Sequence, residues 1–352
     1  MIPLRQAWAA PADPRPIVVI GAGSIVRTAH LPAYARAGLP VGGVFDIRPD
    51  AARAVADDFH VSIVHATLAE AARHPDAVFD LAVPGDQILD ILGCLPSGAA
   101  VLIQKPMGED LAAAARIRAI CRARSLTAAV NFQLRFSPNV LAVKDLIDRG
   151  ALGAITDVEV RVVDRQPWEQ WTFLRHAPRL EVLYHSIHYL DAIRWLAGEP
   201  SGVHCRAIGH PAFPEHRDVR TSIILDYGDR VRCSLALNHT HGQDMTHRAS
   251  FLKIEGTAGA ATLAMGVNID YPTGVPDSLA VAGADGAWQP IPLRGSWFTH
   301  AFAGPMSNLQ RMVSGEDDAL VSPIDDAIRT MALVEACYCS SAGAATPIPR
   351  VE

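Results

Sequence analysis

The chain has 352 residues, of which 49% are hydrophobic and 19% charged, and 31 Lys and Arg against 37 Asp and Glu give a formal net charge of −6. This length is enough for two domains, each with its own core. The mild acidity argues against a basic nucleic-acid-binding surface, and the apolar content is too high for a disordered chain.

The sequence carries no sign of export or membrane insertion. Its first residues lack the apolar core of a signal peptide, and no apolar run approaches the roughly 20 residues that cross a bilayer. The six cysteines are dispersed without CxxC pairs, which predicts reduced thiols instead of disulfides or a zinc site. We therefore expect a cytoplasmic protein that binds neither membranes nor nucleic acid.

The first half of the chain predicts an α/β domain with a doubly wound parallel sheet. Residues 1–15 are rich in Ala and Pro and predict a flexible arm. Short apolar runs then alternate with alanine-rich helical patterns, as expected for parallel strands buried on both faces. The runs cover residues 17–20, 41–45, 78–83, 99–103 and 127–130, and the clearest helical patterns cover 49–59 and 109–124. We assign residues 16–133 to a Rossmann-type dinucleotide-binding domain.

A glycine-rich turn follows the first apolar run directly. Its sequence is Gly21-Ala22-Gly23-Ser24-Ile25-Val26, and a helical pattern comes next. The first glycine permits a tight turn, and the second lets a pyrophosphate approach the backbone at the helix N-terminus. Gly21, Gly23, Ser24 and Ile25 are therefore predicted to contact a dinucleotide, although Val26 replaces the small third residue of the fingerprint.

Asp46 ends the second apolar run, where a carboxylate would accept hydrogen bonds from the adenosine ribose hydroxyls. The same carboxylate would repel the 2′-phosphate of NADP, so we predict NAD as the cofactor. Because Arg48 lies two residues further on, NADP remains an alternative cofactor.

Lys105 lies just beyond the run at 99–103, at the edge where open α/β sheets bind ligands. A lysine at this place can donate a hydrogen bond to a reacting oxygen. Pro106 fixes the direction of the chain beside it.

After residue 133 the pattern changes to an α+β type with an open, largely antiparallel sheet. Strands are predicted at 155–163, 203–208, 221–227, 231–237 and 251–255, and helices at 138–149, 180–196, 301–315 and 324–342. Residues 134–352 are therefore predicted to form a substrate-binding and oligomerisation domain.

The helix at 180–196 has a polar face among apolar ones. Glu181, Tyr184, His185 and His188 lie at i, i+3, i+4 and i+7 and are expected to share this face. His188 suits general acid/base catalysis because the ordinary pKa of histidine, about 6.5, is near neutral. Asp191, one turn on, could orient an imidazole or hold the helix in place.

Other groups could shape a substrate pocket. Trp168 and Trp171 flank Glu169-Gln170 after a strand and suit stacking on a sugar face. Candidates for binding a hydroxyl-rich or anionic substrate are Arg175, His176 and Arg179, and three further polar residues, Asn238, His239 and His241, end a strand.

At this point several segments resemble the glucose–fructose oxidoreductase / inositol dehydrogenase (Gfo/Idh/MocA) family. They are residues 21–32, 82–84, 104–106, 188–191 and 315–342, in the order that the family has. The resemblance implies a Rossmann domain, a second domain with an open sheet, and an active site between them. It also implies hydride transfer between nicotinamide and a carbinol carbon of a sugar, sugar acid or cyclic polyol, and association as homodimers or homotetramers.

The resemblance assigns residues to roles. Lys105 and His188 would be catalytic. We also predict that both bind substrate together with Trp168, Arg179 and His185, and that Arg48, Pro84 and Lys105 join the cofactor contacts. Three departures stand out. Gln104 replaces the glutamate of Glu-Lys-Pro, residues 85–88 lack the family's Asn-x-x-His, and Tyr184 replaces an aspartate. In the mechanism that we expect, His188 removes the hydroxyl proton, Lys105 holds the reacting oxygen, and Tyr184 extends the proton relay.

Two other functions remain open from the sequence. Glu181, His185 and His188 could contribute to a metal site, with ligands added from His239 and His241, but a complete ligand set is not evident and we assign no metal. The second is a catalytically degraded dinucleotide-binding sensor or scaffold, which the changes at Gln104 and Tyr184 would fit. The retained Lys105 and His188 favour an enzyme.

Overall fold

The computed structural model describes residues 3–175, 177–271 and 273–351. Its first sheet is wholly parallel, with strand order β2-β1-β3-β4-β5, and it confirms the predicted doubly wound sheet. The strands are β1 (Ile17–Ile20), β2 (Val41–Phe45), β3 (Val78–Leu81), β4 (Ala100–Ile103) and β5 (Thr127–Val130). The accompanying helices are α1 (Leu31–Ala37), α2 (Pro49–Phe59), α3 (Leu68–Ala71), α4 (Ile88–Cys94) and α5 (Leu111–Ala123).

The helices of this domain begin where local chemistry favours it. The Asp110 carboxylate accepts a hydrogen bond from the Ala113 N–H at 2.6 Å and caps α5, and Thr67 caps α3 in the same way. Pro49 occupies the first turn of α2, where its missing N–H costs no helical hydrogen bond. A π-helical turn, Val26–His30, joins the glycine-rich loop to α1.

The second sheet has eight strands in the order β13-β12-β11-β10-β6-β9-β8-β7, and it is antiparallel except for the pair β6 and β9. This arrangement confirms the predicted, largely antiparallel sheet. The strands are β6 (Ile155–Val163), β7 (Gly202–Ile208), β8 (Arg220–Asp226), β9 (Arg232–Asn238), β10 (Ala249–Gly256), β11 (Ala260–Ala264), β12 (Ser278–Ala282) and β13 (Trp288–Pro290). The helices are α6 (Pro138–Asp148), α7 (Ile187–Ala197), α8 (Ala303–Val313) and α9 (Ile324–Ala342), with a π-helical turn, Val182–Ser186, directly before α7.

The last part of the chain returns to the first domain. Met306 and Leu309 of α8 are buried in one cluster with Leu102 and Ala129 of the parallel sheet. Ser322 donates a hydrogen bond to the Val130 carbonyl at 2.7 Å. Residues beyond 134 therefore help to complete the core of the dinucleotide-binding domain, which a simple division at residue 133 leaves out.

The N-terminal segment is fastened to the body of the protein, in contrast to the flexible arm that we predicted. The Trp8 indole N–H donates to Asp317 at 2.8 Å, and the Arg15 N–H donates to Gln310 at 2.8 Å. The Trp8 ring also packs edge-on against Phe136, with centroids 5.4 Å apart. The partners of this segment are more than 120 positions away, which is why local composition did not indicate them.

Within the described ranges, no helix is long and apolar enough to cross a membrane.

Candidate functional site

A cavity of about 730 Å³ runs between the two domains. One side is formed by the loops that follow β1, β2, β3 and β4, and the other by the π-helical turn before α7 and the loops around 166–174, 267–271 and 297–302. The carboxyl ends of parallel strands are the usual ligand edge of an open α/β sheet. The cavity is therefore the candidate active site.

The glycine-rich loop has the geometry that a dinucleotide requires. Gly21 has φ +108°, and a Cβ atom there would lie 2.3 Å from the Ala82 carbonyl oxygen, so only glycine fits. A Cβ on Gly23 would meet no atom within 4 Å, which leaves open space above the backbone. Ser24 and Ile25 also line the cavity. This open cradle fits the approach of a pyrophosphate.

Asp46 lies at the end of β2 with its carboxylate held in place. One oxygen accepts the Ala22 N–H at 2.7 Å, and the other accepts the Arg48 N–H at 2.8 Å. The side chains of Asp46 and Arg48 line the cavity, as does Pro84 after β3. A fixed carboxylate at this position can accept hydrogen bonds from ribose hydroxyls and fits NAD better than NADP.

Lys105 is held by a backbone group. Its Nζ donates a hydrogen bond to the Tyr184 carbonyl oxygen at 2.8 Å. Among the residues that the structure describes, no carboxylate lies within 4.0 Å of this ammonium. Burial lowers the pKa of Lys105 to about 8. The lysine is thus an uncompensated cation at the cavity wall.

Gln104 belongs to a buried network beside Lys105 that the sequence did not indicate. Its carbonyl oxygen accepts the Lys105 N–H at 2.7 Å, and its amide nitrogen lies 3.1 Å from His30 Nε2. His30 Nδ1 lies 2.7 Å from Asp80, which also accepts the Tyr34 hydroxyl hydrogen bond at 2.8 Å. A neutral amide at 104 suits this network because Asp80 already supplies the negative charge.

The helix predicted at 180–196, here called the site helix, begins with the π-helical turn Val182–Ser186. This turn changes which of its residues face the cavity. Tyr184, His185 and His188 line it, as predicted. Glu181 does not, and the expectation of one shared face is wrong for this residue. Its fully buried carboxylate accepts hydrogen bonds from Ser186, at 2.6 Å, and from Thr221. A π-turn has more residues per turn than an α-helix, so α-helical spacing misplaces residues across it.

His188 is a neutral imidazole at the cavity wall. Only 6% of the residue is exposed, and its ring lies 5.4 Å from the Trp297 ring. Its Nδ1 has no hydrogen-bond partner within the described part of the chain. Burial and, after it, the charge of Lys105 lower the pKa of His188 well below its ordinary value. His188 is therefore neutral before the reaction and is free to accept the proton that the substrate hydroxyl releases.

Tyr184 keeps its hydroxyl proton. Burial, and then the nearby carboxylates of Glu109 and Asp86, raise the pKa of Tyr184. The ring is partly buried and packs edge-on against Phe173.

A second buried network lies behind His185. His239 Nδ1 is 2.6 Å from Asp164, and its Nε2 is 3.2 Å from Glu181. Burial alone would lower the pKa of His239, but Asp164 and Glu181 outweigh it and raise the pKa to about 9. Gln166 donates to Asp164 at 2.8 Å and lies 3.3 Å from His185 Nε2. This network fixes the wall of the cavity from behind.

The metal site considered from the sequence is not assembled. Ligand atoms of Asp164, His185 and His239 lie within 4.8 Å of one another, but this is a different set from the predicted Glu181, His185 and His188. Both nitrogens of His239 are already within hydrogen-bond distance of carboxylates. An imidazolium that donates hydrogen bonds from both ring nitrogens has no lone pair with which to bind a metal.

The remaining substrate candidates divide. Trp168 and Trp171 both line the cavity, and their ring centroids are 6.2 Å apart. Arg179 is outside the lining, since Glu335 holds its guanidinium through hydrogen bonds of 2.6 and 2.8 Å, and we no longer assign it to substrate. Four other candidates, Arg175, Asn238, His239 and His241, are likewise absent from the lining, and His176 lies outside the described residues. The lining also includes Gln166, Asn268, Tyr271 and Trp297, which the sequence did not indicate because they lie on loops without a motif.

Comparisons with known proteins agree with this architecture. Residues 15–132 match the oxidoreductase family with an NAD-binding Rossmann fold, and residues 140–262 match the GFO/IDH/MocA C-terminal domain. The chain is 26% identical over 346 residues to an inositol 2-dehydrogenase of Rhizobium meliloti (strain 1021), a match that covers 92% of this chain and 96% of that protein.

Two solved structures share the fold. An oxidoreductase from Agrobacterium radiobacter in complex with NAD+, L-tartaric acid and magnesium has a TM-score of 0.78 at 19% identity, covering 94% of this chain and 97% of that chain. A levoglucosan dehydrogenase in complex with NADH and levoglucosan has a TM-score of 0.76 at 18% identity, covering 94% and 98%.

Proposed function

Because this chain belongs to the GFO/IDH/MocA family of NAD-binding oxidoreductases, we propose that it transfers a hydride between NAD and a carbinol carbon of a sugar, sugar acid or cyclic polyol. Membership confirms the family resemblance, the oxidoreductase class and the NAD cofactor predicted from the sequence. The observation that carries the proposal is that Lys105 and His188 line the same cavity as the glycine-rich loop. The similarity to an inositol 2-dehydrogenase supports a polyol or sugar substrate.

The first domain would hold the cofactor. Gly21 and Gly23 give the pyrophosphate access to the backbone, with Ser24 and Ile25 beside it, and Asp46 accepts hydrogen bonds from the ribose. Arg48 and Pro84 complete the proposed contacts. NAD supplies the hydride acceptor when it is bound.

The second domain and Lys105 would act on the substrate. The Lys105 ammonium donates a hydrogen bond to the reacting oxygen, so that it stabilises negative charge as the carbinol C–H bond breaks. The neutral His188 accepts the hydroxyl proton as the C=O bond forms. Tyr184 contributes its carbonyl, which holds Lys105, and a protonated hydroxyl that can relay the proton onward. His185 and Trp168 would bind the rest of the substrate.

Lys105→Met and His188→Asn test this proposal. Removal of one preorganised donor to a developing oxyanion typically lowers kcat by about 10²- to 10³-fold, and loss of a general base by about 10²- to 10⁴-fold. We expect losses of this size with an unchanged Kd for NAD, measured by NADH formation and by fluorescence titration. Arg179→Met serves as the matched control, since Arg179 is bound to Glu335 outside the cavity. If both cavity variants keep more than half of the turnover, the proposed roles are wrong.

We also propose a homodimer or homotetramer formed through the outer face of the eight-stranded sheet. Ile208 and Ile224 are 42% and 54% exposed on β7 and β8, and exposed apolar side chains on a sheet favour association. Light scattering after size exclusion tests this, and a monomer at micromolar concentration would contradict it.

A further inference from the structure

The second domain contributes no formally charged side chain to the cavity, among its described residues. From this domain's side, the lining includes 16 residues, which are Gln133 and 15 residues between positions 166 and 302. Their side chains are aromatic, amide, aliphatic or imidazole-bearing. The lining residues of formal charge are Asp46, Arg48, Asp90 and Lys105, all from the first domain. The wall that the second domain contributes therefore offers only neutral hydrogen-bonding groups and apolar rings.

The two imidazoles of this wall are neutral. Burial, followed by the nearby His239, lowers the pKa of His185 well below its ordinary value. His185 Nε2 lies 3.3 Å from the Gln166 amide nitrogen, which can only donate, so Nε2 is an acceptor. Among the residues that the structure describes, the Nδ1 of His188 has no acceptor that would stabilise an imidazolium. Neither histidine supplies a positive charge for an anionic ligand.

The charge behind and beside the wall is negative. Asp164 and Glu181 are fully buried and share the single imidazolium of His239, so the group carries one excess negative charge. At the other side, the carboxylates of Asp86 and Glu109 lie close enough to Tyr184 to raise its pKa. These groups would repel a carboxylate or phosphate in the cavity.

The nearby cations are engaged or lie outside the lining, as the exposed Arg175 does. Lys105 is needed at the reacting oxygen and cannot also neutralise an anionic group on another carbon. Arg179 is paired with Glu335. The Arg48 Nε lies 3.4 Å from a carboxylate oxygen of Asp46. Among the described residues, an anionic substrate group would therefore find no positive side chain as its partner, and its desolvation would be strongly unfavourable.

We infer that the substrate is an uncharged sugar or cyclic polyol, and that the enzyme discriminates against sugar acids and sugar phosphates. The inference rests on the proposed function and selects within its substrate class. The apolar C–H face of a sugar ring would pack against indole rings such as Trp168 and Trp297, and its hydroxyls would meet amide groups such as Asn268. The ring itself and the carbon that is oxidised lie beyond this inference.

Matched neutral and anionic probes test the inference. The full-length protein with NAD is assayed with myo-inositol, D-glucose and D-galactose, and with D-glucuronate and D-galacturonate, by NADH formation at neutral pH. We expect kcat/KM for the best neutral probe to exceed that for either uronate by at least about 100-fold, because a buried carboxylate without a partner is so costly. A uronate used as well as the best neutral probe overturns the inference but leaves the proposed dehydrogenase standing. Silence with both classes, with NAD still bound by fluorescence titration, overturns the proposed function and this inference with it.

A charged substitution at the rim of the cavity distinguishes the effect of charge on substrate preference from the effect of side-chain shape. Gln170 is exposed and lines the cavity, so Gln170→Arg adds a cation with little effect on folding, and Gln170→Met is the uncharged control of similar length. We expect the arginine variant to reduce the preference for the neutral sugar over its uronate by about 5- to 10-fold, the size of one partly exposed charge pair, and the methionine variant to leave it. A preference that changes equally in both variants, or in neither, overturns the attribution to missing positive charge.

Discussion

His239→Gln should remove a pH-dependent part of the stability of this protein. The His239 imidazole lies between Asp164 and Glu181, and all three side chains are fully buried. Its pKa is raised to about 9, against 6.5 for an ordinary histidine, because the two carboxylates outweigh the effect of burial. Such a difference corresponds to about 3 kcal/mol of folding free energy.

The sign follows from linkage. The folded protein holds the His239 proton more tightly than the unfolded chain does, so the stabilisation is fully present below pH 6.5 and is lost as the pH rises through 9. Glutamine keeps some hydrogen bonding but cannot carry the charge. We therefore expect the free energy of unfolding of the variant to fall furthest below that of the natural protein in mildly acidic solution.

Urea unfolding at several pH values measures this difference. The gap between the natural protein and His239→Gln should shrink by about 3 kcal/mol between pH values below 6.5 and above 9. His204→Gln, at an exposed position of β7, provides the control and should leave the pH dependence unchanged. A gap that stays constant across this range would refute a charged His239 in the folded protein.

Four further variants test the cofactor contacts and Tyr184. Gly21→Ala should lower the free energy of unfolding by on the order of 3 kcal/mol, since its Cβ meets the Ala82 carbonyl at a positive φ. Gly23→Ala should leave thermal unfolding nearly unchanged but raise the Kd for NAD at least about 10-fold. Asp46→Ala should weaken NAD binding by about 2 kcal/mol, the value of a hydrogen bond to a charged group, and narrow the preference for NAD over NADP in fluorescence titrations. Tyr184→Phe removes the hydroxyl but keeps the carbonyl contact with Lys105, so we expect a loss in kcat of about 10-fold, and an unchanged kcat would exclude the hydroxyl from the relay.

The sequence predicted the first sheet well because its strands are buried on both faces and are rich in Val and Ile. It missed β11, whose sequence Ala-Ala-Thr-Leu-Ala has few β-branched residues, and the short β12 and β13 at the sheet edge. The glycine-rich loop and Asp46 were predictable because their roles depend on neighbouring elements only. Packing against distant segments was not, as the fastened N-terminal segment shows.

The candidate site divides along the same line. Lys105 and His188 stand in local motifs, and the structure brings both to one cavity. The partners of His239 come from the residue directly after β6 and from the start of the site helix, 75 and 58 positions away in the chain, so no local pattern could join them. Glu181 was misplaced because α-helical periodicity does not hold across a π-helical turn.

Tyr184 shows most directly what a sequence cannot reveal. The family resemblance indicates a phenol at 184 in place of a carboxylate, and side chains alone do not show what holds Lys105. The structure supplies the partner from the backbone, because the Tyr184 carbonyl accepts the Lys105 hydrogen bond at 2.8 Å. A carbonyl is present whatever side chain occupies position 184, and it has no negative charge to raise the pKa of the lysine. The position of Lys105 therefore depends on the π-helical turn that presents this carbonyl, while the side chain at 184 is free to shape the cavity for its substrate.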